Sequence, residues 1–583
     1  MTRVWAPYAN HVELLAGDRA IPMRRGPGDW WEAPPGSLTA GQDYWFRLGG
    51  PDGKRLPDPR SPWQPAGVHG PSRHVDHAAF EWTDRHWQAR PLASTVIYEL
   101  HVGTFTPEGT FDAAIERLDH LVELGITHVE LMPVAEFLGD YGWGYDGVSL
   151  FAPHHAYGGP EALKRLVNAC HAKGLGVLLD VVYNHLGPSG NYLPQFGPYF
   201  TDRYNTPWGW ALNFDGPDSE EVRQFFCDNA ILWLRDYHFD GLRLDAVHAI
   251  VDMSATPFLE QLATEIDELK AHIGRHLILI AESDLNDPRV VRPWELGGFG
   301  IDAQWSDDIH HALHTVLTGE REGYYADFGS LADLATAMMQ PFVYAGRHSQ
   351  VRRRRHGRPP IDLSAHRFVA CLQNHDQLGN RARGERVCHL VNVDRAKIGA
   401  ALVLLSPYVP MLFQGEEWGA SSPFQYFVDF RDEPELARSV GEGRQREFAH
   451  FNWDPGQIPD PTDPATFLRS KLPWDELHEP QHRELVSWHR QLIRLRRQVW
   501  VLTTGRLDET TAQSSEDQGW LRIERGPVTI VCNFAPAERE VPLTPGRGSE
   551  PFIFSKPCTH LGHAVRMPPE SVFVCGPAWE REA

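Results

Sequence analysis

At 583 residues the chain exceeds a single module, since domains run to roughly 100–200 residues and a barrel to about 250, so two or three domains are expected. A hydrophobic fraction of 42% and an aromatic fraction of 11% suffice for large cores and exclude disorder as the main state. Aspartate and glutamate total 77 against 55 lysine and arginine, a formal charge of −22 that argues against nucleic acid and anionic membrane as partners.

In chain order, residues 1–82 hold short apolar runs such as Val12 to Leu15 and Tyr44 to Leu48. Pro, Gly and Asp clusters at Arg24 to Gly28 and Pro57 to Pro62 separate them, which is the texture of a small β-sandwich. Arg3 to Pro7 already looks like a strand, so the opening is abrupt and leaves little room for a preceding edge strand. No signal-peptide core and no apolar stretch of about 20 residues is found, and the chain reads as cytoplasmic.

From Ser94 strand and helix alternate, the pattern of a parallel sheet with crossover helices. Strands are expected over Ser94–His101, Ile126–Met132, Leu175–Val182, Phe239–Leu244, Leu277–Glu282, Phe368–Asn374 and Val409–Phe413. Between them, a helix over Phe111–Leu124 places Phe111, Ile115, Leu118, Leu121 and Val122 at helical spacing. A second starts near Pro160 and buries Leu163, Leu166, Val167 and Cys170 before Gly174. With roughly six strands distinct and two inferred, the 83–498 segment reads as a (β/α)₈ TIM barrel, an α/β fold closed by a helix from about Arg483 to Arg497. Strand-and-turn sequence then returns at Trp520–Ile523, Val528–Phe534 and Ser571–Val574, so 499–583 is expected to be a C-terminal β-sandwich. The basic run Arg352 to Arg355 reads as a solvated loop. Seven scattered cysteines without CxxC spacing indicate neither a disulfide framework nor a cysteine zinc site.

In a barrel of this kind the reacting groups stand just after the apolar runs. Four runs qualify: Asp180 to His185, Asp240 to Asp245, Leu277 to Glu282, and Leu372 to Asp376. Arg243 and Asp245, two apart, share one face while Leu242 and Leu244 point to the helices. Asp245, Glu282 and Asp376 would then converge on the barrel mouth. Glycoside hydrolysis exploits such converging acids, one as nucleophile and another as proton donor. Arg243 beside Asp245 suits it to be the nucleophile, and Glu282 is the better acid/base.

Asp180-Val-Val-Tyr-Asn-His185, Gly241-Leu-Arg-Leu-Asp245, Ala281-Glu282 and Asn374-His-Asp376 together resemble the four signature regions of the α-amylase superfamily of glycoside hydrolases. The resemblance implies a retaining double displacement with Asp245 as nucleophile, Glu282 as acid/base and Asp376 as the third carboxylate holding sugar hydroxyls. It also implies that His185, Arg243 and His375 bind the attacked glucose, that Asp180 and Asn184 support the first region, and that Tyr145 stacks under that sugar, with a buried strand-end aromatic as the alternative.

Within the superfamily, Val4-Trp-Ala-Pro7 resembles the entry of an immunoglobulin-like, carbohydrate-binding N-terminal domain found in branching enzymes, debranching enzymes and maltooligosyltrehalose trehalohydrolases. Trp143 to Val148, Leu212 to Pro217, Leu244 to His248, Trp305 to His311, Gly323 to Asp327 and Gln414 to Trp418 resemble the trehalohydrolase family most. That resemblance implies hydrolysis of the α-1,4 bond adjoining the terminal trehalose of maltooligosyltrehalose, releasing trehalose and a maltooligosaccharide, within trehalose biosynthesis. It also implies functional pairing with a maltooligosyltrehalose synthase. A 1,4-α-glucan branching enzyme is the alternative. Candidates for the trehalose side are Tyr145, Asp146, His248, Trp305, Asp307, Asp308, Glu417 and Trp418, with packing behind the site or helix capping an equal alternative for each. An open aromatic groove is expected for the glucan chain. The chemistry needs no cofactor or metal, and the stretch between His185 and Asp240 has no dense oxygen cage for calcium.

Overall fold

The computed structural model describes residues 2–448, 458–545, 547 and 550–577; the outer ends of the expected first and third units, residue 1 and residues 578–583, lie outside them. Eight parallel strands close a barrel: β1 (Ile97–Leu100), β2 (His128–Leu131), β3 (Gly176–Val181), β4 (Gly241–Leu244), β5 (Ile278–Ala281), β6 (Ala303–Trp305), β7 (Phe368–Cys371) and β8 (Val409–Phe413), with β8 pairing back to β1. Side chains alternate between two environments, as a pleated strand requires. Ile97, Leu178, Ile278, Ile280, Ala303, Trp305, Val369, Cys371, Val409 and Met411 fill the barrel interior. Leu242, Leu244 and Leu179 face the helical shell.

Strand β6 escapes the apolar-run reading because it is only three residues long. The expected helix over Phe111–Leu124 is two helices, Phe111–Ile115 and Leu118–Leu124, broken where the Arg117 guanidinium lies 4.7 Å from the Trp474 ring centroid. The break turns Val122 outward, to 41% exposure, so it is no part of the buried stripe. The helix Gly159–Ala172 buries Leu163, Leu166, Val167 and Cys170, and Pro480–Gln498 forms the long helix after the barrel.

Before the barrel stand two antiparallel sheets. One holds Arg3–Trp5, Trp30–Glu32 and Arg24–Arg25; the other holds Arg19–Pro22, Val12–Ala16, Asp43–Leu48, Arg55–Leu56 and Ser72–Arg73. This unit leans on the helix Ser219–Asp236 through Trp30 Nε1 to Glu221 (3.1 Å) and Arg60 to Asp228 (2.6 Å). After the barrel, a five-stranded and a three-stranded sheet enclose Trp520, Val531, Val541, Val565, Met567 and Phe573. The buried arginines Arg496 and Arg525 donate to the carbonyls of Leu404, Leu405, Ser406 and Tyr408, tying the long helix and the C-terminal unit to the end of the helix Val393–Leu404. Cations at a helix C-terminus satisfy carbonyls that lack partners within the helix. Among the described residues no helix is long and apolar enough to cross a membrane.

Candidate active site

The C-terminal ends of β1, β3, β4, β5 and β7 meet around one guanidinium. Arg243 sits on the inner face of β4, fully buried, with Nη1 2.7 Å from Asp180 Oδ2 on β3 and 2.9 Å from Asp245 Oδ1 beyond β4. Its Nη2 lies 2.8 Å from Glu282 Oε2 beyond β5, and the Trp305 ring of β6 lies beneath it, 4.1 Å from the guanidinium carbon. One planar cation thus holds three of the expected carboxylates, a geometry for which the arginine fork is suited. Asn184 Nδ2 donates to Asp245 Oδ2 at 2.7 Å and to the Asp245 carbonyl at 2.8 Å. The backbone N–H of Ala246 donates to Glu282 Oε2 at 2.8 Å. Ala246 reaches it from a left-handed conformation with φ of 39°, which a non-glycine residue adopts at some cost in strain.

Asp376 stands in the first turn of the short helix His375–Gly379, whose N-cap Asn374 accepts from the Asp376 and Gln377 N–H groups. Burial raises its carboxyl above the usual range, His375 opposes that, and Glu282 adds to it, so the two acids share one field. The His375 ring bridges outward: Nδ1 lies 2.5 Å from Glu99 Oε1 on β1, and Nε2 lies 2.7 Å from the Tyr145 hydroxyl. Burial alone would lower the imidazole, but Glu99 and Asp376 raise it to about 9. Tyr145 also donates to Asp180 at 2.6 Å and stacks on His375 with centroids 5.1 Å apart. The Tyr145 loop enters through Gly144 at φ 97°, where a Cβ would stand 2.2 Å from the Pro133 carbonyl oxygen. Asp180 is pushed up to about 7 by burial, against Arg243 and with Asp245.

The structure brings Asp245, Glu282, Asp376, Asp180, Arg243, His375 and Tyr145 together, with Asp307 beside them. Burial raises the Asp307 carboxyl well above its usual range, and Glu282 and Asp376 add to that. His185 flanks the site, its ring stacked on Trp208 at 4.3 Å and its pKa pushed down to about 4 by burial. Asp146, next to Tyr145, is raised to about 6 by burial. His248 lies at the rim, 3.9 Å from Asp284, which also pairs with Arg352 at 3.0 Å. Arg352 therefore leaves the solvated loop expected of the basic run and ties it to the segment after Glu282.

Four of the leaving-side candidates take the packing alternative. Glu417 is fully buried outside the barrel, accepting from the Tyr98 hydroxyl at 3.1 Å and lying 2.7 Å from His120 Nε2. Tyr98 alternates with the inward Ile97 and Glu99, so the turn after β8 folds onto the outer face of β1. Trp418, 1% exposed, packs there against Trp474 at 5.1 Å. Asp308 holds a loop: its Oδ2 accepts from Asn286 Nδ2 at 2.9 Å and from the Tyr344 N–H at 2.7 Å. Trp305 is part of the floor under Arg243, because the last residue of so short a strand still points inward.

Sequence reasoning missed Glu99 and Glu130. Both lie within expected barrel strands as single charges in apolar runs, which was the available signal. Glu130 is buried with neither carboxyl oxygen hydrogen bonded among the described residues, and burial together with Glu99 and Asp180 raises its pKa well above the usual range.

This geometry accompanies clear similarities to known proteins. Residues 73–205 match the alpha amylase, catalytic domain family. The chain is 50% identical to malto-oligosyltrehalose trehalohydrolase of Mycobacterium tuberculosis, over 93% of this chain and 94% of the relative. It is 47% identical to the protein of the same name from Saccharolobus solfataricus, over 85% and 84%. A 1,4-alpha-glucan branching enzyme from Vibrio parahaemolyticus is 33% identical over only 60% of this chain and 52% of its own. Among solved structures, a protein from Salmonella typhimurium superposes with a TM-score of 0.90 at 37% identity, covering 99% of this chain and 97% of that one. A pullulanase complexed with maltotetraose from Anoxybacillus sp. LM18-11 shares the fold, with a TM-score of 0.71 at 18% identity over 99% and 86%.

Proposed function

Because the chain belongs to the malto-oligosyltrehalose trehalohydrolase family, we propose that it cleaves the α-1,4 bond next to the terminal trehalose of maltooligosyltrehalose, releasing trehalose and a maltooligosaccharide. The observation that carries this reading is the Arg243 guanidinium holding Asp180, Asp245 and Glu282 together at the mouth of a closed barrel. Asp245, oriented by Arg243 and Asn184, attacks the anomeric carbon of the glucose preceding trehalose. Glu282 Oε2 is occupied by the Ala246 N–H and faces Arg243, which leaves Oε1 to give its proton to the departing trehalose oxygen. The bond from carbon to trehalose breaks as the bond to Asp245 forms. Glu282, now a carboxylate, then takes a proton from water, whose oxygen displaces Asp245 and restores the α configuration. Asp376, with His375 and Tyr145, holds the hydroxyls of the reacting sugar, and Asp307 and His248 face the trehalose.

The glucan chain runs along a groove of about 510 Å³ lined by Tyr8, Phe200, Trp208 and Trp210. Tyr8, Trp208 and Trp210 are solvent-exposed aromatics, and such faces stack on sugar rings. Trp208 of this groove stacks on His185, which flanks the site. The enzyme works in the cytoplasm beside a maltooligosyltrehalose synthase that supplies its substrate, in three units over 1–82, 83–498 and 499–583.

The test is incubation with maltopentaosyl trehalose and, separately, with amylose, followed by ¹H NMR. Free trehalose together with maltopentaose appearing first as the α-anomer is expected. New α-1,6 linkages from amylose would identify a branching transferase, and a β-anomer appearing first would overturn the double displacement.

A further inference from the structure

Beside the Tyr145 loop lies a nitrogen-rich cluster that the reaction does not use. The short strand Ala135–Glu136 pairs with Ser149–Pro153, and His154 and His155 follow that partner directly. Glu136 Oε1 lies 2.7 Å from His155 Nδ1, and Glu136 Oε2 lies 3.3 Å from His154 Nδ1. One ligand atom from each of the three residues falls within 4.8 Å of the other two. The His154 and Glu136 side chains are 0% exposed, and that of His155 is 23% exposed.

His154 is the unusual member. Among the described residues neither of its ring nitrogens has a well-aligned hydrogen-bond partner, Nδ1 only facing Glu136 at 3.3 Å, although the ring is sealed beneath Phe137, stacked at 3.8 Å. A buried imidazole ordinarily satisfies its nitrogens, so an orphaned one aimed at a carboxylate needs a reason. Behind His155, Asp140 Oδ1 stands 3.5 Å from Nε2, the nitrogen turned away from Glu136. A carboxylate at that place orients an imidazole to present its other nitrogen to a metal.

We propose that Glu136, His154 and His155 form a transition-metal site, with zinc the ion its donors suit. Two imidazoles and one carboxylate are a zinc set, and calcium prefers oxygen ligands throughout. The partly exposed side at His155 admits a water as the fourth ligand. The ion would pin both ends of the hairpin whose loop, residues 137–148, carries Tyr145.

The full-length protein, stripped with EDTA and dialysed, is titrated with zinc chloride by calorimetry and with cobalt(II) chloride by visible absorption. One zinc per chain, the d–d bands of four-coordinate cobalt, and a zinc-dependent rise in the unfolding midpoint are expected. Glu136→Gln and His155→Asn should each abolish all three, and Asp140→Asn should weaken zinc about tenfold or more. His155 is partly exposed, so its variant decides the question if Glu136→Gln does not fold, with circular dichroism confirming a native spectrum. Failure of the wild-type protein to bind zinc below millimolar concentration, or binding by His155→Asn equal to wild type, overturns the site.

Discussion

Strand β4 carries a buried charged cluster at each end, and the two are built on opposite terms. At the N-terminal end, Asp240 accepts from the Val177 N–H at 2.9 Å, Trp87 Nε1 at 2.9 Å and Arg275 Nη2 at 2.9 Å, with His171 Nε2 at 3.0 Å. Asp84 completes it, lying 2.8 Å from both His171 Nδ1 and His238 Nδ1. At the C-terminal end, Asp180 Oδ1, Arg243 Nε and both oxygens of Glu130 find no hydrogen bond among the described residues. Burial pushes both aspartates upward, yet partners bring Asp240 below its usual range while Asp180 stays at about 7. A cluster whose atoms are all paired holds structure, whereas one left short of partners keeps capacity for a ligand. In a barrel the C-terminal face is the reactive one, and here one strand shows why.

Substitutions along that strand can break the contrast. Asp245→Asn should lower kcat by about 10⁴-fold or more, since removing a nucleophile costs rate rather than affinity. Its melting temperature and its binding of maltopentaosyl trehalose, read by calorimetry, should stay close to wild type, and a parallel loss of binding in a folded variant would argue against the role. Asp240→Asn should do the reverse. It leaves Arg275 and His171 underpaired in the interior and should cost about 3–5 kcal/mol by urea unfolding, with kcat per folded molecule unchanged.

A smaller effect concerns pH. His375 is raised to about 9 in the folded protein from an unfolded value near 6.5, so the stability it contributes is complete below about pH 6.5 and is lost as pH rises through 9. The loss is on the order of 3 kcal/mol. His171 is shifted in the same direction by Asp240 and Asp84, against burial. Glu99→Gln separates the two: thermal unfolding from pH 6 to 10 should lose the larger part of its alkaline decline in that variant. An unchanged decline would place the titration at the other end of the strand.

Much of this was legible along the chain. The carboxylates Asp245, Glu282 and Asp376 stand out because each follows an apolar run, and polar residues just past buried strands have few structural reasons to be there. Strand β6 was not legible because three residues carry no period. Glu99 and Glu130 were hidden because a lone charge in an apolar strand reads as a flaw until the barrel closes and turns it inward. Glu417 and Trp418 misled because their motif follows β8 directly, and only the path of the turn sends them to the outer face of β1.

Local order, then, was written in the residues themselves: alternation of period two and of 3.6 sets strands and helices, and strand ends name the acids, because both depend on neighbours a few positions apart. What waited for closure of the barrel was every relation across it. That one arginine serves three carboxylates, that Glu99 reaches His375 from a strand 276 residues earlier, and that the pair His154–His155 returns to Glu136, are distances between remote segments, and packing alone sets those.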